Sequence, residues 1–388
     1  MKRIALIHHT GELGGGTKSL IDVAMMLCEQ YEVVICVPKG SFLEIKIKKK
    51  NIVVHEMKVV PYLNFFSGSS PMLSKTSLFS LKSLFRIKDF CDEIEKIDPD
   101  LILFNTIVTS VSSLKLQGRK CAFIDRETMT NSYHIMLYNH IINKNIRGAA
   151  FLCKCEKDKF YVDKKVIQAI IPDCVAEEDL IINDDVSSVL SSESYKVLFM
   201  GGSSSLKGAD TALEAIAQTY GNIVLIIAGR FDNNIFSGKN IMKHIYNPSY
   251  CRHLIKLRAA YSKAIERGNV LFVGSKANIY PLIKKSDIVI FPSTKVHQSR
   301  PCIEAGYFKK PVIISDYKET KEYFIEGYNA LTFKPNDSKD LAKSILYASK
   351  HREEMIVLGE HNYDMNTKFH NYENVKKALI DFVYQIIG

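Results

Sequence analysis

The sequence predicts an α/β protein made of two doubly wound, Rossmann-like domains facing a cleft. Three observations carry that expectation. Short continuous apolar runs alternate with helix-period stretches, the pattern of βαβ units and a mainly parallel sheet. The alternation occurs twice, on either side of an acidic, serine-rich stretch at 179–194. The chain has 388 residues, 46% hydrophobic and 24% charged, enough to build two cores and too apolar to be disordered.

Taken in order, the first half opens with an apolar run, Ile4 to Ile7, followed by the turn Gly14-Gly15-Gly16. Ser19, Leu20, Val23, Ala24 and Leu27 then recur at helical spacing. Strands are expected at 32–37 and 52–55, with a helix at 42–50 between them. Residues 59–83 break the rhythm with PYLNFF, a Gly/Ser patch and SLFSLKSLF. A helix through Phe90, Ile94 and Ile97 ends at Asp98-Pro99. Strands follow at 101–104, 122–124 and 149–152, and Ile170-Ile171-Pro172 reads as the last strand of this half.

In the second half, strands are expected at 196–200, 223–228, 270–273, 288–291 and 311–315. Helices are expected at 209–219, 254–267, 279–284, 302–308, 318–324 and 338–350, with an amphipathic closing helix at 372–387.

The net charge of +10 suits anionic partners such as a nucleotide, a phospholipid surface or an acidic acceptor. Nucleic acid is not expected, because no RNP-type motif, zinc-finger spacing or basic-region helix occurs. Nine scattered cysteines without a CxxC pair read as reduced thiols, which points to the cytoplasm and away from a metal site. The N-terminal apolar run stops at His8-His9, too soon for a signal segment, and no run reaches the length of a membrane span.

Ligands in doubly wound sheets bind at the carboxyl ends of strands, so the loops there are the candidates. Gly15 and Gly16 lead into the first helix, where backbone amides favour anions; a plain tight turn without a ligand is the competing explanation. The pattern is not GxGxxG, and no acid closes the second strand, which disfavours a dinucleotide site. In GGSSSLKG, Gly202, Ser203 and Lys207 can face a diphosphate, although this is no P-loop. The run FPSTKVHQSRPCIEAGYFKKPVIISD is the strongest local signal. Arg300, Pro301 and the free amides near Cys302 can hold a diphosphate, and Glu304, expected in the first helical turn, can accept from ribose hydroxyls. Helix capping is the competing explanation. His8, Arg126 and Glu127 follow buried strands, and His297, Gln298 and Ser299 lie in the polar loop; each of these also has a purely structural explanation.

The second half resembles the nucleotide-sugar domain of GT-B glycosyltransferases, in particular glycosyltransferase family 4. The residues that carry the resemblance are VLFMGGSSSLKGADTALEAIA, NVLFVGSKANIYPLIKKSDIVIFPS, RPCIEAGYFKKPVIISD and IEGYNALTFKPNDSKDLAKSI, in order across 196–350. The first half fits more loosely, through its first strand and glycine turn. The resemblance implies domains at 1–180 and 195–370, with a closing helix at 371–388 that crosses back onto the first. It implies that Lys207 lies on the donor diphosphate and that Glu304 binds the ribose. Gly15 and Gly16 would face donor phosphate and acceptor, and Gly274 and Ser275 would begin the loop that holds the base. His297, Gln298 and Ser299 become sugar-binding candidates, and His8, Arg126 and Glu127 acceptor-side candidates.

Two positions depart from the family pattern. Gly202 stands where an arginine is usual, and Val296 stands where the family has a glutamate that contacts the transferred sugar.

The implied activity is retaining transfer of a sugar from a nucleoside-diphosphate sugar to a glycan or lipid-linked glycan, in surface polysaccharide or glycoconjugate synthesis. The sugar donor is a substrate, and neither a cofactor nor a metal is expected. Apolar and cationic residues interleave through 59–86, which suits a peripheral position on an anionic membrane on its cytoplasmic face; packing into the core explains them as well. Two other activities stay open: a GT-B epimerase acting on a nucleotide sugar, and a nicotinamide-dependent oxidoreductase. The departures keep a further alternative open, a non-catalytic or partner-dependent nucleotide-sugar-binding subunit.

Overall fold

The computed structural model describes residues 1–11, 15–40, 51–63, 75–129, 132–176, 193–231, 248–276, 278–296 and 299–388. The helix expected at 42–50, nearly all of the 179–194 stretch, and the candidates His297 and Gln298 lie outside the described residues. The chain divides into two compact units, Met1–Cys174 with Tyr372–Gly388, and Val175–Asn371.

In the first unit, β1 (Arg3–Ile7), α1 (Gly15–Leu27), β2 (Glu32–Pro38) and β3 (Ile52–Met57) come first. Then follow α2 (Lys75–Phe85), α3 (Ile87–Ile97), β4 (Leu101–Phe104), a 3-10 segment at Ile107–Lys115 and β5 (Cys121–Asp125). The unit continues with α4 (Ser132–Asn145), β6 (Gly148–Phe151), α5 (Lys154–Lys157) and β7 (Ile167–Ile170). The strands pair in parallel in the order β3-β2-β1-β4-β5-β6-β7. Both faces of this sheet are covered, so its strands are apolar on both sides. The pleat divides them. Ile4 and Leu6 join a core with Leu20 and Ala24 of α1 and with the C-terminal segment, whereas Ala5 and Ile7 join a core with Phe90, Ile94 and Tyr138. α3 stops because Asp98 turns left-handed at φ 46°, its amide closing on the Ile94 carbonyl at 3.0 Å, ahead of Pro99.

The second unit begins with β8 (Tyr195–Phe199), α6 (Ala209–Ile216), β9 (Ile223–Ala228), α7 (Pro248–Arg267) and β10 (Val270–Gly274). It continues through α8 (Tyr280–Lys285), β11 (Ile288–Phe291), α9 (Arg300–Tyr307), β12 (Val312–Ser315), β13 (Leu331–Phe333), α10 (Ser338–Lys350) and α11 (Arg352–Phe369). Its sheet is also parallel, in the order β10-β9-β8-β11-β12-β13. In each sheet the first strand of the unit sits inside and the winding direction reverses beside it, between β1 and β4 and between β8 and β11.

Several elements differ from expectation. The last strand of the first unit is Ile167–Ile170, not 170–172, because pairing with β6 ends at Ile170. The helix expected at 318–324 is only a 3-10 turn, Lys318–Thr320. α4, α11 and β13 are not signalled by the apolar pattern.

The closing helix α12 (Tyr372–Ile387) belongs to the first unit. Val375, Leu379, Phe382, Val383, Ile386 and Ile387 enter the core beneath α1. Gly148 lets it seat, since a Cβ there would collide with Ile386 and stand 2.7 Å from the Phe382 ring. Truncating Phe382→Ala is therefore expected to cost about 3–5 kcal/mol. Hydrogen exchange should then show faster amide exchange through β6 and β7, while Val175–Asn371 is unaffected.

Candidate functional site

In a doubly wound sheet the crevice beside the reversal point receives the ligand. In the second unit that point lies between β8 and β11, and the loops leaving these strands carry most of the candidates. The two loops are stitched together. Thr294 donates its amide to the Leu206 carbonyl at 2.9 Å and its hydroxyl to the Ser205 carbonyl at 2.9 Å. Gly208, at φ 78°, lies so close to the Pro292 carbonyl that any Cβ would collide with it.

Gly202 is just as constrained. Its φ is 56°, and a Cβ would lie 2.5 Å from the Arg230 carbonyl oxygen and 2.9 Å from its amide nitrogen. Its amide donates to the Ala228 carbonyl at 3.0 Å, and the Ser203 amide donates to the Arg230 carbonyl at 3.1 Å. The backbone after β9 thus occupies the space that a side chain at 202 would need. This is a local reason for glycine where the resembling family carries arginine. The next loop joins in through the Gly229 amide, which donates to the Gly274 carbonyl at 2.9 Å. Gly274 and Ser275 are exposed at the end of β10.

Lys207 turns back along its own loop and donates from Nζ to the Met200 carbonyl at 3.3 Å. Burial lowers its pKa below the usual lysine value, and the nearby Glu304 carboxylate opposes that shift. Glu304 itself pairs with Arg300 one helical turn earlier, Arg300 Nε donating to Glu304 Oε1 at 3.2 Å. Both side chains are buried. α9 starts at Arg300 with Pro301 in its first turn, which puts Glu304 in the second turn and not in the first. Simple capping by Glu304 is thereby excluded. The expectation of free amides at Cys302 needs correction. Its amide donates to the Ser299 carbonyl at 2.8 Å, and its side chain is wholly buried in the core.

The first unit carries a different kind of cluster at its own reversal point, between β1 and β4. His8 follows β1, Asn105 follows β4, and Asp125, Arg126 and Glu127 close β5. Arg126 pairs with Asp173 and also donates from Nε to Asn105 Oδ1 at 3.0 Å. Asp173 also accepts from the Ser19 hydroxyl at 2.9 Å. Asn105 Nδ2 reaches His8 Nδ1 and the Gly16 carbonyl, both at 3.4 Å. Gly16 abuts His8, while Gly15 would meet nothing within 4 Å. The network thus brings Gly16, His8 and Arg126 together, while Glu127 stands outside it, its amide donating to Asp125 Oδ1 at 3.0 Å. The parts played by Asn105, Asp173 and Ser19 are not signalled by the sequence.

Burial dominates the electrostatics here. It lowers His8 well below the usual imidazole value, helped by His9 and Arg126, and lowers His9 to about 4. It raises Asp125, with Glu156 nearby adding to the shift, and pushes the Glu127 carboxyl up to about 7. Among the described residues no group of His, Cys, Asp and Glu is arranged to hold a metal ion.

The Glu127 and His9 shifts act on stability in opposite directions. Glu127 binds a proton more tightly folded than unfolded, so its contribution is lost as pH rises from 4.5 through about 7. His9 is the reverse: its contribution is lost as pH falls from 6.5 toward about 4. Glu127→Gln should therefore make stability rise more steeply with pH over about 4.5 to 6.5 than in the wild type, as read from urea midpoints across that window.

Residues 182–365 match the family model described as glycosyl transferases group 1. An uncharacterized glycosyltransferase of Methanocaldococcus jannaschii is 24% identical over 327 residues, covering 82% of this chain and 81% of that protein. Among solved structures, Anabaena HepE in complex with UDP-glucose superposes with a TM-score of 0.74 at 15% identity, covering 99% of this chain and 100% of that one. Sucrose-phosphate synthase from Thermosynechococcus elongatus gives 0.78 at 16% identity, covering 100% and 99%. The fold is that of the GT-B glycosyltransferases.

Proposed function

We propose that the chain, whose residues 182–365 match the family model of glycosyl transferases group 1, is a retaining enzyme that uses a nucleoside-diphosphate sugar. Its acceptor in this reading is a glycan or lipid-linked glycan, and its role is in surface polysaccharide or glycoconjugate synthesis. The observation that carries the reading is the meeting of Lys207 with the Arg300–Glu304 pair beside the β8–β11 reversal point.

Sugar transfer builds positive charge on the sugar and negative charge on the departing diphosphate. A fixed cation aimed at that diphosphate stabilises the transition state more than the ground state. Lys207 suits this role, since it now bonds a neutral carbonyl oxygen, which an anionic phosphate oxygen can replace with a stronger bond between opposite charges. Arg300 holds the Glu304 carboxylate in place, and that carboxylate suits the two hydroxyls of a ribose. Gly202, Ser203, Gly274 and Ser275 supply backbone close to the nucleotide. His8, Arg126 and Glu127 of the first unit are the acceptor-side residues. In this reading the departing phosphate takes the acceptor proton, so no dedicated pair of carboxylates is needed, and neither a cofactor nor a metal is called for.

HepE, whose structure contains UDP-glucose, makes a UDP-sugar the first donor to test. Exposed Phe79, Leu81 and Phe85, with Lys82 and Arg86 beside them, support a peripheral position on the cytoplasmic face of an anionic membrane. No helix among the described residues is long and apolar enough to cross a membrane. A second reading, a nucleotide-sugar-binding subunit that needs a partner, is favoured by Val296 at the position where the family has its sugar-contacting glutamate.

Thermal shift against UDP, GDP and ADP tests the donor site. One diphosphate is expected to stabilise the wild type, and Lys207→Ala is expected to weaken it about 10- to 100-fold. Glu304→Ala should weaken the diphosphate but leave inorganic pyrophosphate unaffected. Stabilisation without release of the diphosphate from its sugar would favour the subunit reading.

A further inference from the structure

The His8 cluster fixes a proton position. Arg126 can only donate, so the Asn105 atom facing its Nε is the carbonyl oxygen Oδ1. The amide group Nδ2 therefore faces His8 Nδ1 and the Gly16 carbonyl, and its two hydrogens are both used. Nδ1 of His8 must then be the bare acceptor nitrogen. Burial keeps the ring neutral, so its one proton sits on Nε2.

That Nε2 is buried and has no hydrogen-bond partner among the described residues, although His8 is only 3% exposed. A buried donor left unpaired costs stability unless a ligand completes it. It lies next to Gly16, where an added Cβ would stand 3.6 Å from Nε2. The surroundings are close to electrically neutral. Arg126 is compensated by Asp173, His8 and His9 are held uncharged, and Asp125 is pushed toward its protonated form. A neutral donor in such a setting fits a sugar hydroxyl better than a phosphate.

We propose that His8 offers its Nε2–H to a hydroxyl oxygen of the sugar acceptor, and that Asn105 is the positioning residue that locks this tautomer. The proposal rests on the transferase reading for the identity of the ligand. The tautomer itself does not depend on it.

Nitrogen NMR of histidine-labelled full-length protein, with His8 assigned by its loss in His8→Gln, reads the tautomer directly. The expected spectrum at about pH 7 shows a neutral ring protonated on Nε2. Asn105→Asp should move the proton to Nδ1, because a carboxylate can only accept. A wild-type ring protonated on Nδ1, or on both nitrogens, overturns the proposal.

Gly16→Ala tests where the donor points. Gly16 has ordinary helical geometry and only van der Waals neighbours at its Cβ position, so the variant should fold as well as the wild type or better. Its methyl group would cover Nε2. With UDP-glucose as donor and water standing in for the acceptor hydroxyl, UDP release by Gly16→Ala and by His8→Phe should fall about tenfold in kcat, with the KM for UDP-glucose unchanged. His8→Gln, which keeps an N–H donor, should recover part of that loss. Wild-type kcat in a folded Gly16→Ala variant overturns the assignment. A wild-type protein that releases no UDP counts against the transferase reading with this donor, and the NMR result still decides the tautomer.

Discussion

The carbonyl oxygen of Pro292 stands where a side chain at residue 208 would begin, and the loops after β8 and β11 take their shape from that contact. Two strands whose ends diverge at a reversal point leave a crevice. Here the loops are pulled together across it, backbone to backbone, by Gly208 on Pro292 and by Thr294 on Leu206 and Ser205. Gly202 against Arg230 does the same on the other side. Once both glycines are placed, Lys207 has little freedom in where its stem starts, and its ammonium is held near the Arg300–Glu304 pair. The loop is thus built before any ligand arrives, which is the condition for a cation to act on a transition state without reorganising.

The first unit solves the same problem with side chains. Its reversal point is filled by a chain of polar contacts that runs from Ser19 through Asp173, Arg126 and Asn105 to His8. At the end of this chain the far nitrogen of His8 is buried and has no hydrogen-bond partner among the described residues. Such networks fix geometry when complete, and present a single oriented donor when one member faces outward. Charge is cancelled within the network, so the two units offer different chemistry: a buried cation in one, a neutral donor in the other.

The fold is largely legible because parallel strands buried on both faces are written as plain apolar runs. Ile223–Ala228 and Ile288–Phe291 can be read to the residue, as can the helices Ser338–Lys350 and Tyr372–Ile387. What escapes has a physical reason. α11 buries Gly359, Asn362 and Asn366 against α9 and the turn after it, with Gly306 and Gly359 allowing close approach, so it has no apolar stripe to find. α4 buries little beyond Tyr138, Ile141 and Ile142. Lys207, Arg300 and Glu304 can be singled out because the segments that carry them, GGSSSLKG and RPCIEAGYFKKPVIISD, are recognisable. Asn105 cannot, because an asparagine after a strand reads as a turn, and its partners lie 97, 89 and 21 residues away in the chain. The glycine requirement at 202 is equally invisible, since it comes from the backbone of residue 230.

Hydrogen exchange of the full chain with and without UDP tests the central claim most directly. UDP is expected to slow exchange in residues 202–208 and around Arg300–Glu304, and to leave the His8–Asn105 cluster unchanged. Protection confined to the first unit, or absent from the loop that carries Lys207, would contradict it.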